Sequence, residues 1–221
     1  MTNNPKTTLF SRMIKWSKIN RKFAKFQSDK VYFDPSFIVS PVQAKLVDMG
    51  PISTDKIISK NKEIQLSNLI GEYWSWFADG FFLNFYLSPK NKHYWRFPYE
   101  GKFIYTRFKQ GKAKLPIMIG LERFFSNKPL FEKAITQNAT VSSILQTPIF
   151  PMAMIAVGSL GVNNIKIFYQ ENKFYNKGEI CGGFKIGSSM VLCFPNNNQF
   201  ELLIKKNQKV EIGEPIIKII T

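Results

Sequence analysis

The residues best suited to chemistry in this chain are a serine that follows a glycine and a single histidine. Gly187 and Ser188 stand in a Gly-rich segment that leads into an apolar strand pattern. A serine hydroxyl at such a place can attack the preceding carbonyl and turn the peptide into an ester, because glycine lets the backbone strain and the hydroxyl approach. An isolated Gly-Ser-Ser is a plain turn, so the wider context must decide. His93 is the only histidine among 221 residues.

Two cysteines, Cys181 and Cys193, are the other reactive side chains. Neither has a neighbour at metal-ligand spacing, so we expect no metal site. Both lie in apolar surroundings, which indicates small buried side chains in a reducing compartment.

Four segments follow one another in a specific order. They are 39–44 (VSPVQA), 87–98 (LSPKNKHYWRFP), 151–158 (PMAMIAVG) and 178–191 (GEICGGFKIGSSMV). Together they resemble the motifs of the pyruvoyl-dependent phosphatidylserine decarboxylases, and the resemblance covers roughly residues 37–220. Each motif alone is weak, whereas four in the right order are specific.

The resemblance implies a carboxy-lyase of phospholipid metabolism that converts phosphatidylserine to phosphatidylethanolamine. It implies self-cleavage between Gly187 and Ser188, which turns Ser188 into a pyruvoyl group. That ketone binds the substrate amine as a Schiff base and accepts electrons when carbon dioxide leaves, as pyridoxal phosphate does. Ser188 and His93 are then the catalytic residues. Without self-cleavage no cofactor is expected.

The chain departs from the family at two self-processing positions. The resemblance implies that an Asp-His pair activates the serine, as in a hydrolase triad. Gln43 stands at the Asp position and Arg96 at the second His position. An amide takes no proton at neutral pH and arginine stays charged. The sequence therefore predicts a pseudoenzyme candidate that is degenerate in self-processing.

Three alternatives stay open. Self-cleavage happens once per molecule, so a slow route through strain and local hydrogen bonds would still yield an active decarboxylase, of phosphatidylserine or a related amino acid. His93 either serves that reaction or is merely packed among aromatic residues. Arg96 either binds an anion, such as a phosphate or carboxylate, or pairs with an acid such as Glu100 or Asp48.

The charge and the first residues indicate a membrane surface. There are 31 Lys and Arg against 15 Asp and Glu, a formal charge of +16, which attracts polyanions. Residues 7–28 have the period of an amphipathic helix with a basic face, either in an anionic bilayer interface or docked on the protein's own core. The expected lipid-binding residues are Arg12, Lys15, Trp16, Lys18, Lys22 and Phe23. No nucleic-acid motif is recognised, so nucleic acid is the less favoured partner.

The expected fold is mostly β (α+β), with a phosphatidylserine decarboxylase-like domain over 31–221 and an amphipathic basic helix in a separate segment, 1–30. Turn-then-strand units at 177–180 and 209–216 resemble a barrel-sandwich element of the biotinyl or lipoyl kind. We expect short helices at 66–71 and 73–79, and a helical turn at 130–134. We predict strands at 37–40, 45–49, 56–58, 81–87, 101–108, 141–147, 152–157, 165–169, 190–194, 200–204 and 216–220.

The sequence has no apolar run of about 18 residues and its first residues lack the apolar core of a signal peptide. We therefore expect a cytoplasmic protein, peripheral at the inner membrane. Since family members are often dimers, a homodimer or a pairing with a paralogue is a further expectation from the resemblance.

Overall fold

The computed structural model describes residues 29–59, 62–111, 137–158, 165–184, 188–196 and 199–220. The chain divides into two units, Met1–Lys30 and Val31–Thr221, and the fold described here is that of the second. The predicted helix over 7–28 and the helical turn at 130–134 lie outside the described residues.

The second unit is mostly β, as the sequence predicts. One short α-helix, α1 (Ser67–Ile70), runs directly into a 3-10 helix (Gly71–Phe77). The strands, in chain order, are β1 Phe37–Val39, β2 Ala44–Ser53, β3 Lys56–Ser59, β4 Lys62–Gln65, β5 Phe81–Leu87, β6 Tyr94–Arg96, β7 Gly101–Lys109, β8 Thr140–Gln146, β9 Pro151–Gly158, β10 Lys166–Ile167, β11 Phe174–Tyr175, β12 Ile180–Gly183, β13 Ser188–Phe194, β14 Phe200–Leu202, β15 Lys209–Val210 and β16 Pro215–Ile219.

A large antiparallel sheet forms the centre of this unit. Its ten strands run in the order β11-β7-β8-β9-β13-β5-β2-β3-β4, with β15 also paired to β2. Two three-stranded sheets accompany it, β1-β16-β14 and β10-β12-β6. Strand β13 lies between β9 and β5 and is antiparallel to both.

The middle strands of the large sheet, β8, β9, β13 and β5, are buried on both faces, which explains why β13 is apolar throughout after Ser189. Successive side chains of a strand point to opposite faces. Met190 and Leu192 accordingly belong to a hydrophobic core that also contains Trp95 of β6, in the small sheet β10-β12-β6. Val191 and Cys193 join a second core that includes residues of α1 and the 3-10 helix.

The predicted strands in the described residues are confirmed, with ends that differ by a few residues. The second predicted helix, 73–79, is a 3-10 helix that starts at Gly71 and ends at Phe77. The sequence pattern did not predict β4, β6, β11 and β12. Strands β4, β6 and β11 have only two to four residues, and β12 contains two glycines, which weaken a strand pattern. The barrel-sandwich assignment near the C-terminus stays a prediction.

Candidate functional site

Ser188 is the first residue of the central strand of the large sheet. It pairs with Leu87 at the end of β5 and with Gly158 at the end of β9. The residue is fully buried, with 0% of its surface exposed. Its Oγ has no hydrogen-bond partner in the part of the chain that the structure describes. Since a buried hydroxyl without a partner costs free energy, it is the kind of group that calls for a functional explanation.

The antiparallel strand order brings the segments that carry His93 and Gln43 to the strand ends near Ser188. Strand β5 ends at Leu87, beside Ser188, and continues into the segment that carries His93. Strand β2 pairs with β5 so that Lys45 lies opposite Tyr86. The start of β2, which directly follows Gln43, therefore lies at the same strand ends.

His93 is tied to the segment that leads to Ser188. Its backbone carbonyl accepts a hydrogen bond of 2.7 Å from the amide of Phe184, at the end of β12. Its Nδ1 lies 2.6 Å from the carbonyl oxygen of Asn91. A carbonyl only accepts, so Nδ1 carries a proton and the neutral ring holds its lone pair on Nε2. Burial lowers the pKa of His93 below its usual 6.5, and the hydrogen bond with Asn91 opposes part of that shift.

Gln43 has the contacts of an amide rather than of a proton acceptor. Its Nε2 donates to both carboxylate oxygens of Glu211, at 3.1 and 2.8 Å. Its Oε1 accepts a hydrogen bond of 2.9 Å from the backbone amide of Lys92. Both ends of the side chain are therefore engaged in positioning contacts.

Arg96 lies in β6, next to the segment that contains Gln43. Its backbone amide donates to the carbonyl of Pro41 at 3.0 Å. Its Nη1 donates to the carbonyl of Gly178 at 2.7 Å, and the guanidinium lies 5.7 Å from the ring centre of Tyr94. Of the acids suggested as its partners, Asp48 forms an ion pair with Lys206 at 2.6 Å.

Hydrogen bonds link the segments that carry His93, Gln43 and Arg96, and strand pairing places Ser188 beside the end of β5 that leads to His93. Neither Gln43 nor Arg96 donates to or accepts from the Ser188 hydroxyl. Gly187 and the six expected lipid-binding residues lie outside the described residues. Sequence reasoning missed Glu211, which is 168 positions from Gln43, because no local pattern links residues so far apart.

Asn91 was also missed, although a local signal exists. Its Oδ1 accepts hydrogen bonds from the backbone amide and the hydroxyl of Ser88, at 2.8 and 2.6 Å. A serine and an asparagine three positions apart form turns of this kind.

The described residues fit the family's pyruvoyl chemistry only in part. Ser188, which would supply the group, is present and buried at a strand end. At the two predicted self-processing positions stand an amide and a guanidinium, each held by other partners. In the described residues no three His, Cys, Asp or Glu side chains are grouped as metal ligands would be. Within the same residues, no helix has the length and apolar character needed to cross a membrane.

Comparison with known proteins identifies the class to which this fold and site belong. The sequence model of the family described as phosphatidylserine decarboxylase matches residues 11–218. A phosphatidylserine decarboxylase proenzyme of Bacillus cereus (strain B4264) is 31% identical over 191 residues, which cover 83% of this chain and 68% of the relative. The proenzymes of Bacillus thuringiensis (strain Al Hakam) and Bacillus anthracis (strain A0248) are each 30% identical over 189 residues, with the same coverage. The chain belongs to the phosphatidylserine decarboxylase family.

Proposed function

We propose that this protein is a phosphatidylserine decarboxylase-like protein that binds anionic phospholipid membranes and is degenerate in self-processing. The observation that carries the proposal is the Ser188 hydroxyl, which is buried and has no proton acceptor within the described residues. A serine needs an adjacent base to become a nucleophile. Loss of one member of a hydrolase triad lowers the rate by about 10⁴-fold.

The contacts of the two departing residues support this reading. The amide of Gln43 is occupied by Glu211 and the backbone of Lys92. The guanidinium of Arg96 donates to the carbonyl of Gly178, and a guanidinium has no acceptor atom. Neither side chain can take the proton of Ser188, so the bond between Gly187 and Ser188 is expected to stay intact.

The state of that bond is tested by intact mass spectrometry of the purified protein and a Ser188→Ala variant. We expect both to give one species, at 25.6 kDa for the unmodified chain, and neither to react with a carbonyl reagent. Two fragments that meet at Ser188 in the parent protein and are absent from the variant would overturn the proposal.

The membrane part of the proposal rests on charge and on the first residues of the chain. A charge of +16 and a basic amphipathic segment favour an anionic bilayer surface, where each lysine contributes about 1 kcal/mol. The protein would then be cytoplasmic and peripheral at the inner membrane, alone, as a homodimer or with a paralogue.

Vesicle flotation tests this part. Lys15, Lys18 and Lys22, changed together to Glu, should abolish binding to vesicles that contain phosphatidylserine. The matched control changes the exposed Lys102, Lys205 and Lys218 in the same way, which alters the net charge equally, and should retain most of the binding. Equal loss in both variants would contradict a role for the N-terminal segment. A preference for nucleic acid over vesicles at matched salt would favour a nucleic-acid-binding protein instead.

An active pyruvoyl-dependent decarboxylase is the second candidate. The family membership favours it, as do the placement of Ser188 at a strand end and a neutral His93 with its lone pair on Nε2. Phosphatidylethanolamine formed from phosphatidylserine vesicles, and lost in Ser188→Ala, would establish this candidate. Absence of product from a protein that remains a single chain would exclude it.

A further inference from the structure

Gln43 connects two parts of the chain that meet beside the candidate site. On one side its amide nitrogen donates to both oxygens of Glu211, at 3.1 and 2.8 Å. On the other side its carbonyl oxygen accepts the backbone amide of Lys92 at 2.9 Å. Lys92 directly precedes His93, so the side chain of residue 43 links the histidine segment to the C-terminal part of the domain.

These contacts require an amide at position 43. Glu211 is an acceptor only, and the backbone amide of Lys92 is a donor only. A side chain between them must therefore donate with one end and accept with the other. A carboxylate at position 43 would face the carboxylate of Glu211 at hydrogen-bond distance, where two like charges repel. The repulsion moves the side chain away from Glu211 and so removes the acceptor from the backbone amide of Lys92.

The segment before His93 is fixed from a second direction. The Oδ1 of Asn91 accepts hydrogen bonds from the backbone amide and the hydroxyl of Ser88. The backbone amide of Asn91 donates to the carbonyl of Ser88 at 2.9 Å. The carbonyl of Asn91 then accepts the Nδ1 proton of His93. The orientation and tautomer of the imidazole therefore depend on how residues 88–92 are held, and Gln43 holds the last of them.

We propose that Gln43 and Glu211 form a matched amide–carboxylate pair that positions the His93 segment, so that Gln43 is a positioning residue with its own partner and not merely a lost aspartate. The inference rests on the proposed function, since it concerns the same altered site. It predicts that a single change of Gln43 to aspartate, the residue that the family resemblance implies, would leave Glu211 without its amide donor.

The test is an exchange of the two functional groups, since glutamine and glutamate have the same length. Gln43→Glu brings two carboxylates together, whereas Gln43→Glu with Glu211→Gln restores one donor and one acceptor in the same space. Gln65→Glu is the matched control, because Gln65 is exposed and accepts a side-chain hydrogen bond from Asn68, at 2.9 Å, on strand β4.

His93 supplies the readout. It is the only histidine, so the ring signals in an NMR spectrum of protein labelled with nitrogen-15 histidine belong to it alone. At a pH where the ring is neutral we expect the Nδ1-protonated tautomer in the parent protein, its loss in Gln43→Glu, and its return in the double exchange. Gln65→Glu should leave the tautomer unchanged.

Two results would overturn the inference. One is a Gln43→Glu variant whose His93 tautomer matches the parent protein. The other is a double exchange that folds but does not regain the parent tautomer. If Gln43→Glu alone fails to fold, the double exchange still tests the inference. The double exchange is expected to fold and to show the parent signals, and its failure to fold would also overturn the inference. Intact masses of the same samples report self-cleavage separately, so the proposed function can fail without the pair failing.

Discussion

At the scale of single residues, the described part of the chain has four buried polar side-chain atoms without a hydrogen-bond partner, on Asn84, Ser142, Ser188 and Ser189. Two of these atoms belong to Ser188 and Ser189, the first residues of the central strand β13. Such atoms are rare in folded proteins because each costs about 1–3 kcal/mol. Both serines lie at the predicted self-cleavage site, so the cost of their hydroxyls can be measured there directly.

Ser188→Ala should therefore raise the free energy of unfolding by about 1 kcal/mol, since it removes an unsatisfied buried hydroxyl. Ser143→Ala is the control, because the Ser143 hydroxyl is bonded to the Tyr169 hydroxyl at 2.6 Å. That variant should lower the free energy of unfolding by about the same amount. Urea titration measures both, and equal losses would show that the Ser188 hydroxyl has a partner.

His93 makes stability depend on pH in a defined direction. Its folded-state pKa is lowered by burial, so the unfolded chain takes up a proton first as the pH falls through about 6.5. The free energy of unfolding should thus decrease as the pH drops from about 6.5 towards the folded pKa. The same urea titrations on His93→Asn, which lacks the titrating group, should show a shallower decrease, and parallel curves would contradict the assignment.

At the scale of elements, the small sheet β10-β12-β6 holds the segments on either side of the site. Strand β12 pairs with β6, which contains Arg96, and ends just before the segment that leads to Ser188. Its Gly182 allows the close packing of this sheet. A Cβ at Gly182 would lie 2.2 Å from the Trp95 ring and 2.5 Å from the carbonyl oxygen of Lys166. The glycine that weakens the strand signal is thus required by the packing.

Gly182→Ala should lower the free energy of unfolding by about 1–3 kcal/mol or more, because the Trp95 ring and a backbone carbonyl must both move. Gly50→Ala in β2 is the matched control, since its Cβ would lie 3.5 Å from the Phe82 ring, an ordinary contact. It should change stability little. Denaturant titration followed by tryptophan fluorescence compares the two, and equal stability of both variants would contradict the packing argument.

At the scale of the whole molecule, one cysteine lies in the small sheet and the other in the large sheet, and both belong to a hydrophobic core. Cys181 and Cys193 are fully buried, and burial raises the pKa of each thiol. We expect neither to react with a thiol reagent in the native protein and both to react once urea unfolds it, because the thiolate is the reactive form. A thiol that reacts under native conditions would reveal local opening of its core.

The charge of the molecule leads to a second prediction at this scale. Binding to anionic vesicles should weaken strongly between about 0.01 M and about 1 M salt, since the screening length falls from about 30 Å to about 3 Å. Vesicles of neutral phospholipid should bind weakly at either salt concentration. Flotation measures both, and binding that does not depend on salt would indicate insertion of apolar side chains rather than attraction by charge.

The sequence by itself determined the mostly β fold class and the family, and it predicted the positions at which this chain departs from that family. The order of four motifs and the alternating apolar runs are local properties, so they can be read without coordinates. Only the tertiary structure decided that Gln43 is paired with Glu211, that Arg96 is bonded to Gly178, and that Ser188 has no acceptor in the described residues. These partners depend on strand register across the whole chain, and a hydrogen bond between residues 168 positions apart leaves no local pattern.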